Sequence, residues 1–336
     1  MRIVFFVLIF ISFSLGATEY FNDKARGITA GDFLNLEINP RALAMGGANV
    51  SVTDDASSIA VNPAGLMEIN SFSIFLARSR YVEDINYNFL SYAQRISYDG
   101  VIALSAFTTD IGTIEHTDID QNILGKFSPS DSVVSIGYSR GITEFSDRET
   151  DVTIGIGYKY IKSKIYHTAK ATAFDMGINV YKFTYIPYKL SFLIQNLGKG
   201  LRYDIESVPI PMKFKIATAV YPFPSLLFAF DFIWPKNDSY YINLGSELKL
   251  KIAEDFSFAL RGGFSTLSSR NDLGGFSFGF GTLIRFLSVD YAFTSMGDLG
   301  NMHLFSISFD FPVKEPVFER KEKSVYRKYR ELSKAH

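Results

Sequence analysis

The sequence predicts an all-β fold, and more narrowly a transmembrane antiparallel β-barrel of about 14 strands. Three observations lead there. Apolar and small or polar residues alternate with a period of two from residue 72 onward. No apolar run after the first residues is long enough for a membrane helix, since Leu226–Trp234 is short and carries Asp231. Aromatic residues make up 15% of the chain, with 32 Phe and 19 Tyr against one Trp, a bias that favours strands with an aromatic exterior.

The elements follow in order along the chain. Residues 1–17 read as a signal peptide: Arg2 is the positive start, Ile3–Leu15 the apolar and hydroxyl run, and Ser14-Leu-Gly-Ala17 the small-residue cleavage site. An anchor helix is the rival, but a span needs ~20 apolar residues. The absence of cysteine excludes a lipid-modified cysteine, disulfides and thiolate metal sites. The expected location is therefore the bacterial outer membrane, reached by export, with outer-membrane lipid as the first partner. A formal net charge of −1 gives no nucleic-acid footprint.

Residues 18–71 lack the alternation. Asp54 or Asp55 can cap a short helix through Ala56–Ala60, and Asn62-Pro63 ends it because proline lacks the donor. Ala64 and Gly65 complete the stop, while Gly46 and Gly47 permit close backbone approach or positive φ. On these residues alone, the segment is a hairpin capping a sheet edge or an insertion into the barrel.

Residues 72–311 form the barrel. Strands are expected near 72–80, 84–96, 100–108, 132–140, 151–162, 171–181, 188–197, 212–221, 226–234, 240–251, 255–264, 274–285, 287–294 and 302–311. Phe276, Phe278 and Phe280 alternate with Gly275, Ser277 and Gly279; Ile154, Ile156 and Tyr158 alternate with Gly155, Gly157 and Lys159. One face of each strand is greasy and the other small or polar. A soluble sandwich or solenoid shares the alternation, but its exposed face would be rich in Lys, Glu and Thr rather than Gly, Ser and Ala. Short connections follow the even strands and longer ones, at 109–131, 198–211 and 265–273, follow odd strands, which places residues 72 and 311 at the periplasmic side. The loop 141–150 departs from that sorting.

Three sets of residues carry a resemblance. They are Arg41-Ala-Leu-Ala-Met-Gly-Gly with Asp54-Asp55 and Asn62-Pro-Ala-Gly65; Gln195-Asn-Leu-Gly198 with Val208-Pro-Ile-Pro-Met-Lys-Phe214; and Asp290-Tyr-Ala-Phe293 with Gly297-Asp-Leu-Gly300. In that order they resemble the start, middle and end of the PorV/PorQ-like proteins within the FadL superfamily of outer-membrane barrels. The resemblance implies that residues 18–71 are an N-terminal plug inside the lumen. It also implies one of two functions: transport of a hydrophobic or amphipathic small molecule, or a scaffold or shuttle for exported proteins as in type IX secretion. The chain departs from the pattern at Asn39-Pro40, read as a local turn, and in residues 312–336. That basic tail holds eight Lys/Arg against four Asp/Glu from Val313 to His336, and is expected to offer a periplasmic partner an amphipathic face.

Lumen-facing Lys159, Asp175, Asp231, Glu247, Lys249, Asp290 and Asp310 either line a path or pair with one another and the plug to fill the interior. Gly297-Asp298-Leu299-Gly300 is read first as a tight hairpin turn and second as a partner contact. No catalytic, metal or cofactor site is expected. The four histidines show no H-x-x-H or H-E-x-x-H spacing, and Ser163 or Ser130 near His167 or His116 lies in no nucleophile motif. The chain is read as a non-enzyme.

The topology is open to test by single cysteines labelled with an impermeant reagent on intact cells. Asp118→Cys, Asp204→Cys and Arg270→Cys are expected to react, and Tyr98→Cys, Glu254→Cys and Arg320→Cys are not. Labelling of the second set reverses the orientation.

Overall fold

The computed structural model describes residues 20–81, 85–120, 122–142, 150–270 and 274–311. The expected signal peptide, the tail 312–336 and most of the loop 141–150 lie outside them. Fourteen antiparallel strands close into a barrel. In chain order they are β1 (Phe72–Arg80), β2 (Asn86–Ser97), β3 (Gly100–Asp110), β4 (Ser130–Gly141), β5 (Thr150–Lys164), β6 (Thr168–Lys182) and β7 (Tyr188–Gly198). There follow β8 (Lys213–Phe223), β9 (Leu226–Pro235), β10 (Tyr241–Ala253), β11 (Phe256–Ser265), β12 (Phe276–Ile284), β13 (Leu287–Ser295) and β14 (Asn301–Phe311). Each strand pairs with its sequence neighbour, and β1 closes on β14 with Phe72 opposite Phe311 and Arg80 opposite His303. The closed sheet leaves no edge for a capping hairpin, so that reading of the N-terminal segment is corrected.

The strands form where the alternation places them, with ends shifted by a few residues. The outward positions are mostly apolar and exposed and the inward ones buried, many of them small: Phe278 is 59% exposed and its neighbour Ser277 is 2% exposed. This pattern suits a barrel in lipid, where every backbone donor must be paired within the sheet and the greasy face turns out. At the rim where the chain enters β1, the Phe72 and Phe311 rings stack with centroids 4.3 Å apart and Phe286 stacks on Phe311 at 4.9 Å, forming part of an aromatic girdle. The loops at the opposite rim include a two-stranded hairpin (Ile114–Thr117 with Ile123–Phe127), a second short pair (Leu201–Arg202 with Ser207–Val208) and a helix at Thr266–Arg270.

The N-terminal segment threads the barrel. At the loop-rich rim, the Phe21 amide donates to the Lys236 carbonyl, Arg26 pairs with Asp238 at 2.9 Å, and the Ala30 amide donates to Pro209. At the other rim, Arg95 of β2 donates to the carbonyls of Met67 and Ile69 at 2.7 and 2.9 Å. Between these ends, helix α1 (Pro40–Ala44) lies against β11–β14, and a 3-10 helix (Pro63–Glu68) lies against β3–β6. The segment and the wall pack together through most of the interior.

Two substitutions on one strand separate the faces. Phe278→Arg puts a charge in the lipid-facing belt and is expected to cost roughly 2–4 kcal/mol in unfolding from lipid vesicles. Ser277→Arg is expected to be no better tolerated, because Ser277 Oγ accepts from the Gly46 amide at 2.9 Å and donates to the Ala44 carbonyl at 3.2 Å. Tolerance at Ser277 would show that the segment is not seated there.

Candidate functional site: the inserted segment and the cleft beside it

Local sequence explains how the segment turns inside the barrel. Asn39, read as part of a turn, is instead the N-cap of α1: its side chain accepts from the Arg41 amide at 2.8 Å, and Pro40 takes the first helical position, where no donor is needed. Gly46 and Gly47 leave the helix with φ of 69° and 83°. A Cβ on Gly46 would sit 2.5 Å from the Phe264 amide nitrogen, so this position needs glycine for space as well as for φ.

The second helix, α2 (Ser58–Val61), is shorter than expected and starts later. Asp55 does serve the turn before it, accepting from the Ser57 amide at 2.7 Å. Asp54 does not, because it pairs with Arg41 at 3.0 Å. The Ala56 amide is taken by Ser73 Oγ of β1 at 3.0 Å, so the wall rather than a helical turn holds the start. Asn62 ends α2 and also opens the next helix: its Oδ1 accepts from the Ala64 amide at 3.1 Å, with Pro63 at the first position. Its Nδ2 donates to the Val50 carbonyl and to Asn179 Oδ1, both at 2.9 Å. The Ala64 carbonyl then accepts from Thr153 Oγ1 at 3.1 Å. Gly65 is buried against Thr53. On the wall side, a Cβ on Gly155 would lie 2.2 Å from the Ala64 amide, and one on Gly263 2.0 Å from the Met45 carbonyl carbon. The inward glycines are thus docking positions for the segment backbone.

Charges tie the segment to the wall. Arg41 grips Glu247 of β10 through Nε at 2.7 Å and Nη2 at 2.6 Å. Glu247 also accepts from Arg261 of β11 at 2.6 Å, and Arg261 reaches Asp290 of β13. Asp54, Arg41, Glu247, Arg261 and Asp290 form one network. On the facing wall, Asp231 of β9 accepts from the Asn49 and Val50 amides at 2.9 and 3.0 Å. Lys189 pairs with Glu68 at 2.9 Å.

The mid-barrel motif has its own task. Asn196, with φ of 59°, sits where the register between β6 and β7 shifts. Its amide donates to Asp175 Oδ1 at 2.8 Å, its Oδ1 accepts from Lys159 at 2.8 Å, and its Nδ2 donates to the Pro211 carbonyl at 3.1 Å. Lys159 and Asp175 complete the set with a buried pair at 2.7 Å. The Gln-Asn-Leu-Gly and Pro-Ile-Pro segments therefore meet.

Of the remaining sequence-derived residues, Asp310 stands near Asp55 and the others lie apart. Lys249 holds an inward register position but lies exposed where β10 runs on past the barrel interior, so it lines no path. Asp310 is half-buried near the rim, accepting from Ser308 at 3.4 Å. Gly297, Asp298, Leu299 and Gly300 are exposed at the loop-rich rim, and they form a five-residue loop with one 3-10 turn (Gly297–Leu299) rather than a tight turn. Ser163 donates to Asp131, and His116 packs edge-on to Tyr166. Among the described residues no group of His, Asp and Glu is placed to hold a metal.

Sequence reasoning missed the cleft. A small cleft of about 80 Å³, open to solvent on one side, lies between residues 33–38 and the wall from β2 to β8. Phe33, Leu36, Phe89, Phe107 and Val133 form an apolar side, and Phe33 stacks over Phe107 with centroids 6.3 Å apart. Glu37, Lys159, Lys213 and Lys215 form the other side. Glu37 accepts from Asn49 Nδ2 at 3.1 and 3.0 Å, and Tyr87 donates to its carbonyl. Lys213 is 8% exposed, and neither it nor Lys215 has an ion pair among the described residues. The signal was present: Lys213 and Lys215 alternate with Phe214 and Ile216 on a strand whose other inward residues are Ala217, Ala219 and Tyr221.

These features make the chain a closed fourteen-stranded antiparallel β-barrel of FadL-like fold. No family model matches the sequence, and no curated protein does. Three solved structures share the fold. A deltaS2S3 mutant of the TodX monoaromatic hydrocarbon channel is 12% identical, with 82% of this chain and 100% of that one covered at a TM-score of 0.50. The CymD monoaromatic hydrocarbon channel is 13% identical, with 83% and 98% covered at 0.50. The toluene transporter TbuX of Ralstonia pickettii is 9% identical, with 81% and 98% covered at 0.51. All three are channels or transporters, and none is an enzyme.

Removing one partner of a buried, hydrogen-bonded ion network leaves the other charges uncompensated, at a cost of about 3–5 kcal/mol. Arg41→Ala is expected to lower stability by that amount in urea unfolding from lipid vesicles. A loss below about 1 kcal/mol, the range of an exposed pair, would mean that the network does not hold the segment.

Proposed function

We propose that the protein moves hydrophobic or amphipathic molecules across the outer membrane, with residues 18–71 acting as the plug that blocks the lumen at rest. The observation that carries this reading is the cleft, which sets aromatic side chains against Glu37, Lys213 and Lys215, beside a segment that fills most of the interior. An apolar enclosure with a few convergent polar groups is the usual form of a small-molecule site. The fold shared with hydrocarbon channels supports the same reading. Arg41, Gly46, Gly47, Asp54, Asp55 and Asn62-Pro-Ala-Gly65 would then be the residues that seat the plug, and its displacement would open the path.

A second reading makes the protein a PorV/PorQ-type scaffold or shuttle for exported proteins. It is supported by the order of the sequence motifs and by the exposed loop Gly297–Gly300 at the loop-rich rim. The tail 312–336 would then face a periplasmic partner.

Deleting residues 42–66 separates the two. Transport predicts a folded barrel with new conductance in planar bilayers and faster uptake of small apolar probes. The double change Asn62→Ala with Pro63→Ala is expected to act in the same direction. A folded deletion barrel with no added conductance overturns transport. Loss of a co-purifying exported protein when residues 296–300 are altered would then favour the scaffold.

A further inference from the structure

We infer that the outer wall of β5 and β6 carries a binding site for the phosphorylated headgroup of an outer-leaflet lipid, formed by Lys162, Lys164 and Lys170. This goes beyond the transport reading, because the site faces the bilayer rather than the lumen. All three side chains are exposed at outward positions of the barrel wall. Lys162 and Lys170 stand directly opposite each other across the β5–β6 pair, and Lys164 follows two residues further toward the loop-rich rim. Like charges directly opposite on a sheet repel and destabilise it. None of the three has a carboxylate partner among the described residues, and Asp131 near them is turned inward to Ser163 and Thr109. Among the described residues nothing therefore offsets this repulsion.

Position decides which anion does. Immediately on the membrane side of the lysines, Tyr158, Tyr160 and Phe174 face outward, and Tyr158 and Phe174 pack with ring centroids 5.3 Å apart. Tyrosines of this kind mark the headgroup level. Below them Ile154, Ile156, Met176 and Ile178 continue the exposed apolar belt. The belt ends at Arg140, opposite Ile154 through β4, and that arginine is already paired with Asp99 at 2.9 Å. From residue 154 to 162 the strand rises ~26 Å, or about 20 Å along the membrane normal at a tilt of ~40°, close to one apolar belt height. The two ends of the belt thus differ: at the turn-side rim Arg140 is neutralised by Asp99 and Lys182 is held by Thr150, whereas the three lysines at the loop-side rim have no partner among the described residues.

The row itself supports this. Across consecutive strands, Asn88, Thr108, Ser132, Lys162 and Lys170 stand in one register line and are all polar. Ser132 and Thr108 add hydroxyl donors but no opposing charge. A lipid with phosphates on its headgroup and several acyl chains would place the phosphates on the lysines and lay its chains against Tyr158, Phe174 and Ile156. With the loop-rich rim outside, that lipid is a phosphorylated glycolipid of the lipid A type.

The test uses the full-length protein in detergent or phosphatidylcholine nanodiscs, with diphosphorylated lipid A as the probe. The wild-type barrel is expected to retain lipid A in native mass spectrometry. The triple variant Lys162→Gln, Lys164→Gln and Lys170→Gln should bind it roughly a hundredfold more weakly, from about one interaction unit per lysine near a charged membrane surface. Lys126→Gln, at an exposed lysine already paired with Glu115 at 3.0 Å, should leave binding unchanged. Circular dichroism and heat-modifiable gel mobility establish that each variant is folded. Retention of lipid A by the folded triple variant within threefold of wild type overturns the site. So does equal binding of dephosphorylated lipid A. Equal lysine-dependent binding of phosphatidylglycerol overturns the assignment to the outer leaflet.

Discussion

The pairing of β1 with β14 is the interaction on which the rest of this structure depends. A sheet edge in hydrocarbon would expose unpaired amides and carbonyls with no water to receive them. Pairing Phe72–Arg80 with His303–Phe311 removes that edge, and the fourteen strands then enclose an interior of fixed girth. That girth exceeds what inward Gly, Ser and Ala can fill. The N-terminal segment fills it, and the small inward residues become the surface on which it lies. Closure thus accounts for both halves of the sequence: greasy alternating strands with small partners, and a preceding stretch without alternation.

Filling a barrel with polypeptide buries backbone polar groups, and the wall answers them one by one. Ser277 meets the Gly46 amide and the Ala44 carbonyl, Asp231 meets the Asn49 and Val50 amides, and Thr153 meets the Ala64 carbonyl. Such contacts are worth little individually, but leaving any of these groups unpaired would cost more than the contact contributes. The Arg41–Glu247 pair belongs to the same scheme with full charges. In the cleft beside residues 33–38, Lys213 and Lys215 face an apolar wall with Glu37 as a nearby counter-charge but no direct ion pair among the described residues.

The exterior follows separate rules. Its apolar belt is continuous because the solvent is lipid, and its two borders are set by where charged side chains can reach water or headgroups. Arg140 with Asp99 and the lysine group of β5 and β6 are the two borders on one wall. Inside and outside are thus solved independently by alternate residues of the same strands, with Lys159 buried against Asp175 and Tyr158 and Tyr160 facing the bilayer.

Much of this was legible in the sequence, because a strand's two faces alternate in every residue pair. Phe276–Phe280 and Ile154–Tyr158 announce strands without any knowledge of their neighbours, and an even count with short turns announces a barrel. Inward Lys159, Asp175, Asp231 and Glu247 were visible by parity alone. Other features were set by contacts between residues far apart in the chain. Arg41 meets Glu247 across 206 positions. The start of α2 moved because Ser73 of the wall takes the Ala56 amide, and Asn62 both ends one helix and begins the next because Asn179 and Val50 hold its amide group. Lys213 and Lys215 alternate plainly on their strand, but that Glu37 stands beside them depends on where the segment runs. Periodicity records which face a residue lies on; only the closed barrel decides what stands opposite, because closure brings together residues that no local spacing relates.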